Sequence, residues 1–222
     1  MSVIAVTGLA REARIVAGPR VVTVVGGGDA RRLREKLERA IDESVYGIIS
    51  IGIAGALSPT LKVGECVVAS HIVAGNEIFP TDEAWSKRLT ACLAAAVFGA
   101  VVGSDEVVVE AGAKSALNRA TGSCAVDMES HVVARAARAR GVPFTALRII
   151  SDTAATTLPP AVLVAMKPDG GIHLGAIARS LIAAPGQISD LLKTARDSKL
   201  AFAALLRCRD ALGPGLGAFD LG

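Results

Sequence analysis

Gly141-Val142-Pro143-Phe144-Thr145-Ala146-Leu147-Arg148-Ile149-Ile150-Ser151-Asp152 is the stretch whose reading decides the fold. The Gly-Val-Pro triplet ends whatever helix precedes it, because proline has no N–H to donate and disfavours helical backbone before it. Met128–Arg140, just upstream, has helical periodicity, whereas Phe144–Ile150 is apolar and β-branched, the pattern of a strand buried on both faces. A helix, a breaker and a buried strand in succession indicate an α/β protein. Ser151-Asp152 then falls at the carboxyl end of a core strand, where open α/β sheets place their ligands.

The same alternation continues towards the amino terminus. Val3–Thr7 and Val21–Val25 read as short buried strands, the second ending at Gly26-Gly27-Gly28. Asp29 is placed to cap a helix over Ala30–Ile41, where Leu33, Leu37 and Ile41 recur at helical spacing. Tyr46–Ile53 is a second core strand, closed by Gly52 and Gly55, and Val63–Val73 an extended pair interrupted by polar residues. Thr81 or Asp82 starts a helix through Trp85, Leu89 and Leu93. Ala100–Gly103 and Val107–Val109 are strand candidates flanking Ser104-Asp105-Glu106. Downstream, the prolines and glycines of Thr153–Gly171 predict a loop or lid, before helices over Leu174–Ala183 and Ile188–Leu212. The expectation is one α/β domain over residues 1–222, with a central mixed sheet flanked by helices and a helical carboxy-terminal segment at about 173–212.

Composition narrows the class. A chain of 222 residues with 51% hydrophobic but only 3% aromatic residues builds an aliphatic, glycine-relieved interior and is not disordered. A net charge of +3 is too slight to argue for nucleic acid by itself, and no nucleic-acid partner is expected. Cys66, Cys92, Cys124 and Cys208 form no paired motif and read as reduced structural thiols, and the dispersed His71, His131 and His173 predict no metal site. Arg11, Glu12 and Arg14 follow the first apolar run rather than precede it, so it reads as a strand and not a signal peptide. With no apolar run near the roughly 20 residues a membrane span needs, a cytoplasmic location is expected.

Two carboxylates fit one chemistry. Cleaving a ribosyl–purine bond develops positive charge on the sugar and negative charge on the base, which calls for an acid beside the purine and an acceptor for the sugar hydroxyls. Asp152, walled by Ile149 and Ile150, suits the acid, since burial keeps a carboxyl protonated nearer neutrality. Glu129, after Val126-Asp127-Met128 at a strand-to-helix junction, can accept from two hydroxyls at once. Taken singly, each has a plain structural role: a loop anchor or cap for Asp152, a complement to the helix dipole for Glu129, core packing for Met128. Gly26-Gly27-Gly28 before a helix could cradle phosphate through backbone N–H groups, with Gly27, Gly28 and Arg31 as the contacts, although such triplets are also ordinary turns.

Gly52-Ile53-Ala54-Gly55-Ala56-Leu57, Leu61-Lys62-Val63-Gly64-Glu65-Cys66-Val67-Val68, Val126-Asp127-Met128-Glu129-Ser130 and Arg148-Ile149-Ile150-Ser151-Asp152 occur in that order. Together they resemble the superfamily of purine nucleoside phosphorylases and methylthioadenosine/S-adenosylhomocysteine nucleosidases, over about Val3 to Ala154. The resemblance implies a twisted mixed sheet, a homo-oligomer, and Asp152 for purine protonation with Ser151 beside it. It also implies Glu129 for the ribose hydroxyls, Met128 alongside the sugar, and no cofactor other than inorganic phosphate as an admissible co-substrate. Three positions depart from it. Ile53 stands where a small hydroxyl residue is common. Glu12 or, one residue on, Ala13 stands where the nucleosidases carry a water-activating glutamate. Val107 stands where they carry a stacking ring, leaving Phe79 or Trp85 as substitutes. Water and phosphate both remain open as the nucleophile.

Leu158-Pro159-Pro160, Lys167-Pro168-Asp169-Gly170, Pro185-Gly186-Gln187 and Ala195-Arg196-Asp197 are similar to the hopanoid-associated phosphorylase family. That resemblance implies adenine release from adenosylhopane, a lipid-linked nucleoside, and a peripheral contact with the inner face of a membrane. Leu191, Ala195, Ser198, Phe202, Leu205 and Leu206 would share the helix face that admits the lipid, with Lys193, Arg196, Arg207 and Arg209 as basic flanks. The rival substrates are small thioadenosines, and the rival class is a catalytically silent nucleoside-binding protein.

Overall fold

A computed structural model describes residues 1–163, 169–171 and 173–218. Strand β1 (Ser2–Thr7) pairs in parallel with β2 (Val21–Val25), and helix α1 (Ala10–Val16) connects them. Asp29 caps α2 (Ala30–Ala40) by accepting from the Arg32 N–H at 2.9 Å. Its apolar stripe, Leu33 and Leu37, is fully buried, each side chain contributing about 1.5–3 kcal/mol.

The long strand β3 (Val45–Ala56) lies beside β1, and β4 (Cys66–Ala74) turns back through Gly75 into β5 (Glu77–Pro80). Helix α3 (Glu83–Cys92) starts at Asp82, which accepts from Trp85 N at 2.7 Å. Next come β6 (Val97–Gly103), α4 (Ala111–Thr121), the three-residue β7 (Ala125–Asp127) and α5 (Ser130–Arg140). Gly141, in the left-handed region at φ 64°, ends α5 and leads into β8 (Phe144–Asp152). Short α6 (Pro160–Leu163), α7 (Leu174–Ala183) and the 25-residue α8 (Ile188–Leu212) follow.

The sheet is mixed, as expected, and five of its strands close on themselves. β3 pairs with β8, β8 with β4, β4 with β6, β6 with β7, and β7 returns to β3. β1 and β2 extend this small barrel from β3, and β5 extends it from β4. Since β1, β3 and β8 are mutually parallel, their carboxyl ends, Thr7, Ala56 and Asp152, lie at one end of the sheet. Helices α1, α3 and α8 cover one face around Trp85, Leu147 and Leu205, while α2 and α5 cover the other around Leu37, Val133 and Ile48.

Several expectations are corrected. Gly52 and Gly55 do not close the second core strand; β3 runs through both of them. Val107–Val109 is loop rather than strand, and Val63–Val73 resolves into one strand whose partner is the unforeseen β5. Helix α4 was not anticipated, because its Ala-Gly-Ala-Lys-Ser-Ala start has no apolar stripe. Phe79 and Trp85 are core residues, 2% and 0% exposed, with the Trp85 indole donating to Leu216 O at 3.0 Å. Neither can stack on a ligand. Lys167 and Pro168 lie outside the described residues.

Candidate active site

At the carboxyl ends of β1, β3 and β8 lies a cavity of about 440 Å³. Glu12, Glu129 and Asp152 all line it, joined by Ile53, Met128 and Ser151, with Val107 on the loop after β6. The catalytic and substrate-binding candidates named from the sequence are thus brought together. The phosphate candidates are not. Gly27 and Gly28 are absent from the cavity wall, the Gly26 and Gly27 N–H groups donate to Thr7 O and Gly8 O, and Arg31 points to solvent, paired with Glu35 at 3.1 Å. The glycine triplet serves a carboxylate instead. A Cβ on Gly26 would lie 3.1 Å from Glu129 Cγ, and one on Gly8 2.8 Å from Glu129 Oε1.

The same logic explains the glycines of β3. A Cβ at Gly52 would sit 2.7 Å from Glu12 Oε1, and one at Gly55 3.1 Å from Asp152 Oδ2. Each acid therefore occupies space that a larger residue would fill.

Glu12 stands in the first turn of α1, 1% exposed. Its Oε2 accepts from Leu9 N at 2.8 Å and its Oε1 from Ile53 N at 2.7 Å, and Glu12 lines the cavity whereas Ala13 does not. Burial pushes its carboxyl up from the usual range, against the pull of those two N–H groups and of Arg148. Each oxygen retains a lone pair for a further donor.

Glu129 occupies the N-cap position of α5 without capping it. That task falls to Asp127, whose Oδ1 accepts from Glu129 N at 2.9 Å and Ser130 N at 2.8 Å. The Glu129 side chain is left free for the cavity. Burial is the first cause that lifts its carboxyl to about 8; Arg148 opposes, while Asp127 and Glu12 add to the rise.

Beneath both glutamates lies Arg148, fully buried on β8. It donates through Nε to Asp127 Oδ2 at 2.6 Å and through Nη2 to the Ser50 hydroxyl, and its buried Nη1 has no partner among the described residues.

Asp152 does not sit between apolar walls, as its sequence neighbours suggested. Ile149 and Ile150 are turned into the core, and the fully buried Lys114 ammonium of α4 lies 2.5 Å from Asp152 Oδ2. Ser151 Oγ stands 2.9 Å from Asp152 Oδ1. Lys114 and Arg148 had no assigned role in the sequence reading. A buried cation can be read from a sequence only through its partner, and Lys114 is separated from Asp152 by 38 residues.

Helices α6 to α8 form the outer wall of the cavity. Leu191, Ala195, Ser198 and Phe202 face it from α8, as their spacing predicted, whereas Leu205 is core and Leu206 is about half exposed. Phe202 supplies the aromatic ring of the cavity, with the Arg11 guanidinium 4.2 Å from its centroid. Gln187 fastens this wall, accepting from Ala161 N at 3.0 Å and donating to Ser180 O at 2.8 Å. Gly170, at φ 76°, accepts from Ala10 N at 3.0 Å, where a Cβ would lie 2.4 Å from Val25. No helix among the described residues is long and apolar enough to cross a membrane.

The fold is shared with solved nucleosidases. A 5′-methylthioadenosine/S-adenosylhomocysteine nucleosidase from Colwellia psychrerythraea 34H, in complex with adenine, superposes with a TM-score of 0.65 at 17% identity, covering 90% of this chain and 96% of that one. The corresponding nucleosidase of Helicobacter pylori, with butyl-thio-DADMe-Immucillin-A, gives 0.62 at 15% identity over 95% and 98% of the two chains. A futalosine hydrolase mutant of Helicobacter pylori strain 26695 gives 0.59 at 16% identity over 68% and 90%. No protein of curated function matches the sequence. The phosphorylase superfamily model matches residues 7–182, and the chain therefore belongs to that superfamily of nucleoside phosphorylases and nucleosidases.

Proposed function

We propose that the protein hydrolyses the N-glycosidic bond of an adenine nucleoside with a bulky apolar 5′ substituent, adenosylhopane being the leading candidate. The observation that carries this reading is the convergence of Glu12, Glu129 and Asp152 on one cavity. Asp152 protonates the departing purine, and Ser151 steadies its carboxyl group. Glu129 accepts from the ribose hydroxyls and faces the positive charge that develops on the sugar. Glu12 takes the proton from an attacking water, a role suited to a buried carboxyl whose affinity for protons is raised.

Water is favoured over phosphate because the residues considered for phosphate lie away from the cavity while a well-placed general base lines it. An apolar 5′ substituent is supported by the wall beyond the acids, made of Leu158, Val162, Ile177, Leu191 and Phe202. With such a substrate, the exposed Leu174, Ile182 and Leu192 of α7 and α8 would meet a membrane surface.

Adenine release from adenosylhopane and from methylthioadenosine, each with and without phosphate, tests the reading, with Asp152→Asn as the control. The expected result is release from adenosylhopane that is insensitive to phosphate, with a free ribosyl product, and a loss of roughly 10²–10⁴-fold in the variant. Full activity of Asp152→Asn would refute the acid assignment. Phosphate-dependent turnover would refute hydrolysis, and preference for methylthioadenosine would refute the lipid substituent.

A further inference from the structure

Lys114 is the most deeply buried charge that the mechanism above leaves unused. Its side chain is wholly enclosed and does not line the cavity. The ammonium has three N–H groups, and three acceptors surround it: Asp152 Oδ2 at 2.5 Å, Thr156 O at 2.7 Å and Thr153 O at 3.3 Å. Each of its protons thus has an oxygen to point at, and the group is fully satisfied where it lies. Two further bonds fix the lysine's own position. Ala111 N, at the start of α4, donates to Thr157 Oγ1 at 3.2 Å, and Leu158 N donates to Val109 O at 3.1 Å, so α4 and the 153–158 segment form one body.

We infer that Lys114 is a positioning residue for the acid step: from behind Asp152 it stabilises the carboxylate left after the proton has passed to the leaving purine. The inference rests on Asp152 being that acid. In the step, the Asp152 O–H bond breaks and a bond from that proton to a purine ring nitrogen forms as the glycosidic electron pair moves onto the base. Negative charge stays on Asp152, 2.5 Å from a cation that neither reorganises nor meets substrate. A fixed, water-excluded cation of this kind lowers the barrier because it is in place before the charge arrives. Oδ2 is occupied by the lysine, so the proton is delivered from Oδ1, the oxygen that Ser151 Oγ also reaches at 2.9 Å.

Two properties separate this role from simple support of the fold. First, it matters only where the leaving group needs a proton. Lys114→Met should lower adenine release by about 10²-fold, yet leave hydrolysis of 4-nitrophenyl riboside, whose phenolate departs unprotonated, within about threefold of wild type. Second, loss of a cation beside the acid should move the basic limb of the kcat/KM–pH profile for the adenine nucleoside, which a loss of packing alone would not do. Lys114→Gln, which can still donate to Thr156 O, carries the same comparison should the methionine variant not fold. Parallel loss on both substrates, no loss on the adenine nucleoside, or an unmoved basic limb would each overturn the inference. Asp152→Asn, assayed alongside, keeps the two readings apart. If it retains activity, the acid assignment itself is wrong; if it loses activity while the lysine variants do not, only the role of Lys114 is refuted.

Discussion

Replacing Glu129 by glutamine separates what this residue costs the fold from what it does for the substrate. Its carboxyl lies at about 8 in the folded protein against an ordinary 4.5, chiefly because burial withholds water from the charged form. The folded state therefore binds this proton more tightly than the unfolded chain does. The sign follows directly: Glu129 costs nothing while pH is below 4.5, and stability is lost progressively as pH rises towards about 8. Taken at face value the displacement corresponds to about 4 kcal/mol at pH 8, and water entry around the ionised group lowers that to roughly 2–3 kcal/mol. At about 2–4 °C per kcal/mol for a chain of this size, Glu129→Gln should melt roughly 5–10 °C above wild type at pH 8 and within about 2 °C of it at pH 5. Adenine release should fall by about 10²-fold over the same range, since an amide cannot accept from two hydroxyls as a carboxylate does. Scanning calorimetry of both proteins across pH 5–8 reads the effect. A stability difference that is equal at the two ends, or that favours wild type at pH 8, would refute the reasoning.

The glycines and the outer wall give further outcomes. Gly52→Ala places a methyl group 2.7 Å from Glu12 Oε1 and should displace that carboxylate from Ile53 N, lowering kcat by about 10²-fold with the protein still folded by circular dichroism. Gly112→Ala, inside α4 with no heavy atom within 4 Å of its added Cβ, should instead leave kcat unchanged and raise stability by about 0.5–1 kcal/mol in urea unfolding. Ala195→Trp fills the cavity from the middle of α8 and should reduce adenosylhopane cleavage at least tenfold while changing methylthioadenosine cleavage by less than about threefold.

What the sequence made legible follows from the range of the forces involved. Asp29 and Asp82 could be read as helix starts because a cap is a contact over three residues. The α8 face that reaches the cavity was legible because helical periodicity fixes it before any tertiary contact forms. Glycines misled in β3, where Gly52 and Gly55 suggested an ending. Their real constraint is the bulk of Glu12 and Asp152, which arrive from residues 40 and 97 positions away. Helix α4 escaped notice for a related reason, since it is held by Lys114, whose partner lies on another element, and not by an apolar stripe. The barrel closure was equally hidden, for β7 is only three residues long and gains strand geometry from β3 and β6 on either side.

Three acids share one cavity, but their cations are unequally divided, and this division accounts for their separate tasks. Lys114 belongs to Asp152 alone. Arg148 must serve Asp127, to which it is bonded at 2.6 Å, as well as Glu12 and Glu129, whose carboxyls it only partly draws down. Around Arg148 there is thus one positive charge for three carboxyl groups, and the mutual repulsion joins burial in raising Glu129. A sugar that becomes cationic as its purine departs supplies the missing charge at the point where the protein leaves it out. The strain borne by Glu129 without substrate and the attraction it exerts on the transition state are then one electrostatic quantity, relieved in the first case by a proton and in the second by the ribosyl cation. It follows that Glu129→Gln should trade catalysis for stability at neutral pH. Asp152 is different: Asp152→Asn replaces the carboxyl group that holds the buried Lys114 Nζ at 2.5 Å and should destabilise the fold as well as abolish the acid step.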